Sequence, residues 1–584
     1  MKPKTDPITL EIMRNALQSI ADETTAALVR TAYSTNIKDR RDCSSAVLTT
    51  EGEVIAQTEL GTPLHVGVMP AAVGVNLDRF PLDQLKPGDA VVSNVPYPVG
   101  PGHLSDITLM APVFYRKHLV GLVANQAHHV DVGGYAPGSM PFGVTEIYQE
   151  GLQIPPLKLI KRGRIDEEIL AFILQNVRTS RVTRGDIMAQ IASNNVGIQR
   201  LCDLMDRYGR QQVLTYVDEV LDYAERSIRA GIRRIPNGTY AFEDVVEGDG
   251  ITEDLIKIRA AITIRNDSVL VDFAGTDPQC SGPMNARISA AQACVYYVMK
   301  CVIDPDLPMN GGTYRAIEVR AEEGSIVQAR FPAAVCNANI LTDQRVVDVL
   351  LGALLQVVPD RVPAACSGEM NLVNVGGIHP GTGEYYNYVE TYAGGQGALH
   401  GQDGMDGVHT HMTNTRNAPA EVIEATYPFR IDRYGLVPDS EGAGERRGGL
   451  GVTREIVTLG DETKFSLSAD RREIGPWGVF DGESAQTSDC VVVSESGERR
   501  QLPSKITTTL VKGDKIFIVT PGGGGRGDPH KRDPEEVRWD VEEGLVSPER
   551  AREGYGVVVD EAGRIDREAT RRLRGDPGLS GEIR

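Results

Sequence analysis

The sequence predicts a multidomain α+β protein, with mixed sheets and a helical layer followed by a strand-rich C-terminal unit. Three observations carry that expectation. At 584 residues the chain exceeds what one simple core accommodates when domains run to about 150 residues. Hydrophobic residues at 41% and charged residues at 24% are ordinary globular usage. Short strand-like runs give way to long helical runs between about residues 166 and 234, and strand-rich sequence returns beyond about residue 434.

After Asp6 and Pro7, the apolar residues Met13, Ala16, Leu17, Ile20, Ala27 and Leu28 recur at helical spacing, which predicts an amphipathic opening helix. SSAVLTT and EVIAQ then flank Glu51-Gly52 as strands about a turn, and DAVVSN, ITLMAPVF and LVGLVAN read as further strands between Gly- and Pro-rich loops. EEILAFILQNV and QVLTYVDEVLDYAERSIRAGIRR form the helical layer, which PNGTY ends. LIKIRAAITI and SVLVDFAG, joined at Asn266-Asp267, predict a hairpin, and a helix is expected around Gln344 to Val358. GVTREIVTL, FSLSADRR, VVVSESGERRQL and KIFIVT are strand-rich, and a charged helical tail follows. No repeat of 20–50 residues is visible, which argues against a solenoid or propeller. The expected units are residues 1–240, bearing the site and the helical layer, a mixed unit 241–435, and 436–584.

Acidic residues outnumber basic ones 80 to 61, a formal charge of -19 that disfavours nucleic acid and anionic membrane as partners. The start lacks an apolar core of signal-peptide length, and the apolar run 349–359 lies between Asp348 and Asp360, short of the ~20 residues a span needs. Eight scattered cysteines form no CxxC pair, so the expected location is a reducing cytoplasm.

Only ten histidines occur, yet five of them (His65, His103, His118, His128, His129) fall between residues 65 and 129. In GPGHLSDIT, His103 and Asp106 stand three apart; in ANQAHHVDVGG, His128 and His129 lead into Asp131. Imidazole nitrogen with carboxylate oxygen suits a divalent ion such as zinc or manganese. The same residues also fit a hydrogen-bonded turn and a strand end, and spacing leaves both readings open.

TLEIMRNALQSIADE, RRDCSSAVLTTEGEVIAQ, HVGVMPAAV, GHLSDITL, ANQAHHVDVGGYAPGSMP, EIYQEGLQIPPLKL, DSEGAGERRGGLG and PGGGGRGDP, in that order from near residue 8 to near residue 555, resemble the hydantoinase B / oxoprolinase family. The resemblance implies the metal-dependent subunit of an ATP-dependent enzyme that opens cyclic amides, with a hydantoinase A-like partner phosphorylating the amide oxygen in a hetero-oligomer. It puts the metal ligands at Asp42, His103, Asp106 and His128, with ATP and magnesium on the partner. His129, Asp131 and Glu146 are the candidates for proton transfer or ligand orientation. Two alternatives accompany this reading: a subunit of an ATP-dependent ketone carboxylase, and a purely structural subunit. SNVPYPVGPGHLSD departs from the family pattern, with Val95 where an acid is expected.

Three further features have ordinary readings beside functional ones. His400, His409 and His411 lie among glycines and could line a channel or sit on one strand face; PGGGGRGDP lacks GK[ST] and reads as a turn or hinge; Cys43 beside Asp42 reads as inert packing. No Walker A motif is present, so ATP is expected on another chain.

Overall fold

A computed structural model describes residues 6–575. Residues 1–5, part of the start searched above for a leader, and 576–584, the end of the charged tail, lie outside the described residues. The chain is a multidomain α+β protein built on four sheets.

The opening helix spans Pro7–Thr31; Asp6 caps it by accepting from Thr9 N, and Pro7 occupies the first turn, where its missing N–H costs nothing. It buries Met13, Leu17, Ile20 and Leu28, each such side chain adding roughly 1.5–3 kcal/mol. The first sheet contains β1 (Cys43–Leu48), β2 (Val54–Gln57), β3 (Ala90–Ser93), β4 (Asp106–Tyr115), β5 (His118–His128), β6 (Leu157–Lys161) and β7 (Arg164–Ile165), in the order β2-β1-β5-β4-β3-β6-β7 with antiparallel neighbours. Its central strands are buried on both faces, which is why ITLMAPVF and LVGLVAN read as nearly unbroken apolar runs. Val47, Val113 and Val123 pack on the side of the opening helix and the helices Ser180–Tyr208 and Arg210–Ile232. Ala46, Met110, Leu122 and Ala124 face Met69 and Val73 of the helix Pro63–Arg79.

Helix Pro63–Arg79 is absent from the sequence reading because Pro70 lies inside it, a position that normally ends a helix. Its Gly67 allows contact with helix Ile288–Ile303: a Cβ there would stand 2.3 Å from that of Ala293. The expected hairpin forms between Leu255–Arg265 and Ser268–Asp272, with Asn266 at φ +55°. Gly238–Glu247 and Ile317–Arg320 complete a second sheet, next to which Ile288–Ile303 and Thr342–Leu355 bury a shared core.

A third sheet orders Tyr385–Thr391, Leu372–Ile378, Glu462–Ser468 and Lys505–Val511; a fourth runs Phe429–Leu436, Val452–Thr458, Lys515–Val519, Asp489–Val493 and Arg499–Gln501. The two share one apolar core. PGGGGRGDP is neither turn nor hinge: Gly522–Gly525 run between other backbones, accepting and donating in close register, and a Cβ at Gly448 would meet Gly523 O at 1.7 Å. The charged tail forms the helices Pro534–Glu542, Pro548–Tyr555 and Arg567–Leu573. Among the described residues no helix is long and apolar enough to cross a membrane.

Candidate metal centre

Strand register assembles the site. Asp106, the first residue of β4, stands opposite His128, the last of β5; Cys43 at the start of β1 pairs with Ala127, which brings Asp42 alongside. His128 N donates to Asp42 O at 3.1 Å, and Asn36 Nδ2 donates to His128 O at 2.7 Å, fixing the strand ends. Because side chains alternate along a strand, Asp42, Asp106 and His128 share the face toward helix Pro63–Arg79, and that helix contributes His65 from its first turn. His103 comes from the loop preceding β4.

Asp106 Oδ1 is the hub. It lies 3.1 Å from His103 Nε2, 3.3 Å from His65 Nε2 and 3.4 Å from His128 Nδ1, and its side chain is 0% exposed. Asp42 approaches His65 Nε2 at 3.9 Å and His128 Nδ1 at 4.0 Å, and its Oδ1 accepts from Thr62 Oγ1 at 3.1 Å. His103 Nδ1 faces Cys336 O at 3.1 Å. A carbonyl only accepts, so Nδ1 carries a proton and Nε2 is the nitrogen that faces the Asp106 carboxylate. Two electron-rich atoms at 3.1 Å repel unless a proton or a cation lies between them. Both Asp106 oxygens, His128 Nε2 and His65 Nδ1 lack any well-formed hydrogen bond despite burial. His103, Asp106 and His128 offer one ligand atom each within 4.8 Å of one another. These donors suit a divalent ion: hard carboxylate oxygen and borderline imidazole nitrogen, with the carboxylate charge matching a dication.

The charges respond accordingly. Burial works against a charged His103, yet the carboxylate of Asp106 outweighs it and holds the imidazole at about 9. Burial likewise opposes ionisation of Asp106, but His103 and His65 draw it well below the usual carboxylate range. Burial and then the charge of Asp42 push the Cys43 thiol up, as expected of packing rather than of a nucleophile.

The other sequence candidates are placed elsewhere. His129 follows His128 by one residue and so points to the opposite face, where Nε2 meets Gln190 Oε1 at 3.0 Å. Asp131 is occupied by the backbone N–H groups of Gly133, Gly138 and Arg178 and by Arg178 Nη1 at 2.9 Å. Glu146 is an exposed cap on the turn Ile147–Gln149. Four residues on, Glu150 is buried and accepts from Val335 N and Cys336 N, so it holds the carbonyl that orients His103; burial pushes its carboxyl to about 7. His400 pairs at the surface with Asp360, and His411 lies 3.7 Å from Asp348. Sequence reasoning counted His65 in the cluster of histidines without assigning it a place; its motif, HVGVMPAAV, was the available signal.

The cluster borders a closed chamber with room for about one water, 20 Å³, walled by Arg40, Asp42, Thr62, His65, His128 and Asn339 among others. A cleft of 670 Å³ lies just outside, lined in part by Gly61, Pro63, Lys300, Cys301 and Asn414. One layer of chain separates the two: Thr62, Thr413 and Thr415 line the chamber, Gly61, Pro63 and Asn414 line the cleft, and Asn414 Nδ2 donates to Gly61 O at 2.9 Å across the wall.

Comparison with known proteins matches residues 6–529 to the family model described as hydantoinase B/oxoprolinase. An uncharacterized protein of Methanocaldococcus jannaschii is 43% identical over 575 residues, covering 98% of this chain and 100% of that one. The caprolactamase subunit beta of Pseudomonas jessenii is 32% identical over 575 residues, covering 97% and 98%. The crystal structure of the ATP-dependent caprolactamase from Pseudomonas jessenii superposes with a TM-score of 0.91 at 30% identity, covering 98% of this chain and 100% of that one. A nucleotide-free acetone carboxylase shares the fold, with a TM-score of 0.90 at 20% identity over 98% of this chain and 82% of that one. With its strand-end histidines and aspartates on one face and this match along nearly its whole length, the chain belongs to the hydantoinase B/oxoprolinase family.

Proposed function

We propose that this chain is the metal-dependent subunit of an ATP-dependent cyclic amide hydrolase, acting on a lactam or hydantoin that a hydantoinase A-like partner has phosphorylated. The observation that carries the reading is the convergence of His103 Nε2, His65 Nε2 and His128 Nδ1 on buried Asp106, with Asp42 beside them, in a chain similar to a caprolactamase subunit. Asp42, His103, Asp106 and His128 would hold the ion, zinc or manganese, and His65 stands within reach of both carboxylates. A bound dication supplies Lewis acidity and lowers the pKa of water toward neutrality.

An amide resists hydrolysis because its nitrogen donates into the carbonyl. Phosphorylation of the oxygen by ATP makes the carbon electrophilic; addition of one water and cleavage of the ring C–N bond, with a proton delivered to the leaving nitrogen, give an acyl phosphate, and a second water releases phosphate and leaves the open-chain acid. The residues of this chain act by position. Cys336 O holds the His103 tautomer, and Thr62 holds the Asp42 carboxylate. Asn339, whose Nδ2 lies 3.5 Å from His103 Nε2 and whose Oδ1 is unpartnered, faces the chamber as a hydrogen-bonding group for substrate or water. The chamber wall keeps bulk water from an activated intermediate.

The test is reconstitution with the partner chain, measuring ATP hydrolysis and ring opening for lactams and hydantoins. Lactam-dependent release of ADP and ring-opened product is the expected result. Because an acetone carboxylase has the same fold, ketones with and without bicarbonate belong in the same assay. Bicarbonate-dependent product from a ketone, with no ring opening of any amide, would overturn the hydrolase reading in favour of carboxylation.

A further inference from the structure

Arg40 is among the largest fully buried side chains, at 1% exposure, and it lines the chamber two residues before Asp42. Its guanidinium is bonded to neutral acceptors: Nη1 donates to Asn36 Oδ1 and to Val389 O at 2.7 Å, and Nη2 to Thr391 Oγ1 at 2.9 Å. Its Nε is buried and unpartnered, as are those of Arg345, Arg454 and Arg471, so the difference lies in what the terminal nitrogens meet. The other most deeply buried arginines meet carboxylates: Arg345 meets Asp470 at 2.8 Å, Arg471 meets Asp244 at 3.0 Å and Arg454 meets Glu390 at 3.5 Å. For Arg40 no carboxylate stands within ion-pair distance among the described residues.

The acids of the chamber do not compensate it. Asp42 and Asp106 together carry the charge that one dication cancels, so a loaded site leaves the guanidinium in excess. A buried cation without a counter-charge is costly, and it is retained where an anion arrives to meet it. Guanidinium is the group that binds planar or tetrahedral oxyanions through paired N–H donors, and the hydroxyls of Thr391, Thr415 and Thr413 in the same wall bond one another in a chain that leaves one hydroxyl proton to offer.

We propose that Arg40 is the anion anchor of the metal chamber and binds an oxyanion carried by the substrate, the phosphoryl group of the activated amide or a carboxylate on its ring. This rests on the functional reading above for the identity of the substrate, not for the binding of the anion. Leu64, Met370 and Met412 in the same lining supply an apolar surface for ring carbons. The chamber as it stands admits one water, so the ligand widens it, and the cleft behind Gly61 and Asn414 gives that wall room to move.

The probe is inorganic phosphate, titrated calorimetrically into the metal-loaded full chain, with metal content and thermal melt measured for each variant. Arg40→Gln is expected to weaken phosphate at least tenfold with metal retained, and Arg40→Lys to fall between. Unchanged affinity in a folded, metal-loaded Arg40→Gln protein overturns the proposal. If that variant does not fold, a crystal of the wild-type protein with phosphate decides: phosphate oxygens on the Arg40 guanidinium are expected, and phosphate on the metal alone overturns it. In the reconstituted complex, loss of turnover with both neutral caprolactam and carboxylate-bearing 5-oxoproline identifies the phosphoryl group, and loss with 5-oxoproline only identifies the carboxylate. Loss with neither overturns the proposal. An inactive wild-type complex that still binds phosphate through Arg40 counts against the hydrolase reading and leaves the anchor standing.

Discussion

Around Arg345, cations meet carboxylates one for one, whereas around Asp106 the only groups that could carry positive charge are imidazoles. In the first cluster Arg345, Arg471 and Lys505 face Asp244, Asp348 and Asp470, with contacts of 2.7–3.1 Å. It ties helix Thr342–Leu355 to the second sheet and to the segment after Glu462–Ser468. In the second, Asp42 and Asp106 have no lysine or arginine within ion-pair distance among the described residues, and the oxygens of Asp106 lack well-formed hydrogen bonds. Burial taxes charge equally in both places. A cluster that closes on itself is architecture; one left open in the same protein is built for something that arrives from outside.

The largest expected effect lies at the open cluster. His103→Ala or His128→Ala removes a nitrogen donor and is expected to lower metal affinity by about 100-fold or more, with activity falling in parallel and the thermal melt in excess metal little changed. Asp42→Asn or Asp106→Asn keeps the shape, removes charge and weakens the ion; Cys43→Ser retains it. Elemental analysis beside a melt for each variant checks this, and full metal occupancy in both histidine variants would sink the assignment. His65→Ala sharpens the comparison: occupancy lost as in His103→Ala makes His65 a ligand, and occupancy kept makes it a support for Asp42 and Asp106.

At the closed cluster the same kind of deletion should act on stability alone. Arg345→Met leaves three carboxylates on two cations, Lys505 on Asp470 and Arg471 on Asp244 and Asp348, and is expected to cost about 3 kcal/mol in denaturant unfolding. Metal content at low denaturant should be unchanged. Loss of metal without loss of stability would erase the distinction between the two clusters.

The smallest effect concerns the acid at the border of the closed cluster. Glu369 accepts from Asn371 Nδ2 at 3.0 Å and from Asp470 N, and burial raises its carboxyl from 4.5 to about 8. Between those values the folded chain keeps a proton that the unfolded chain has lost, so stability is greatest below 4.5 and falls as pH rises toward 8. One such group contributes a slope of at most about 1.4 kcal/mol per pH unit. Glu369→Gln should flatten the pH dependence of unfolding in that window, and equal slopes in variant and wild type would show that the carboxyl ionises freely.

Much of this was legible in local pattern. The opening helix, the hairpin at Asn266 and the strands β1 and β3–β5 follow from periodicity and turn chemistry, because those signals are set by neighbours in the chain. His103, Asp106 and His128 stood out by residue type and clustering, and resemblance added Asp42 and joined the four; in the fold the first three bring ligand atoms within 4.8 Å of one another and Asp42 reaches His128 Nδ1 at 4.0 Å. What pattern could not reach was facing. His128 and His129 are adjacent in sequence and equal in chemistry, yet strand alternation sends one to Asp106 and the other to Gln190. Asp131 is the right acid in the right loop, and Arg178, 47 residues away, takes it.

Composition and order of residues therefore dictated the element types, the acidic surface and the family, since each depends on local preference or on matching along the chain. Packing across distance alone decided which groups share a chamber. Helix Pro63–Arg79 brings His65 to Asp106, Cys336 turns His103, and Arg40 meets Val389 and Thr391 some 350 residues later. A side chain acquires its partners from the register of strands and the approach of helices, and those distances exist only once the chain has folded.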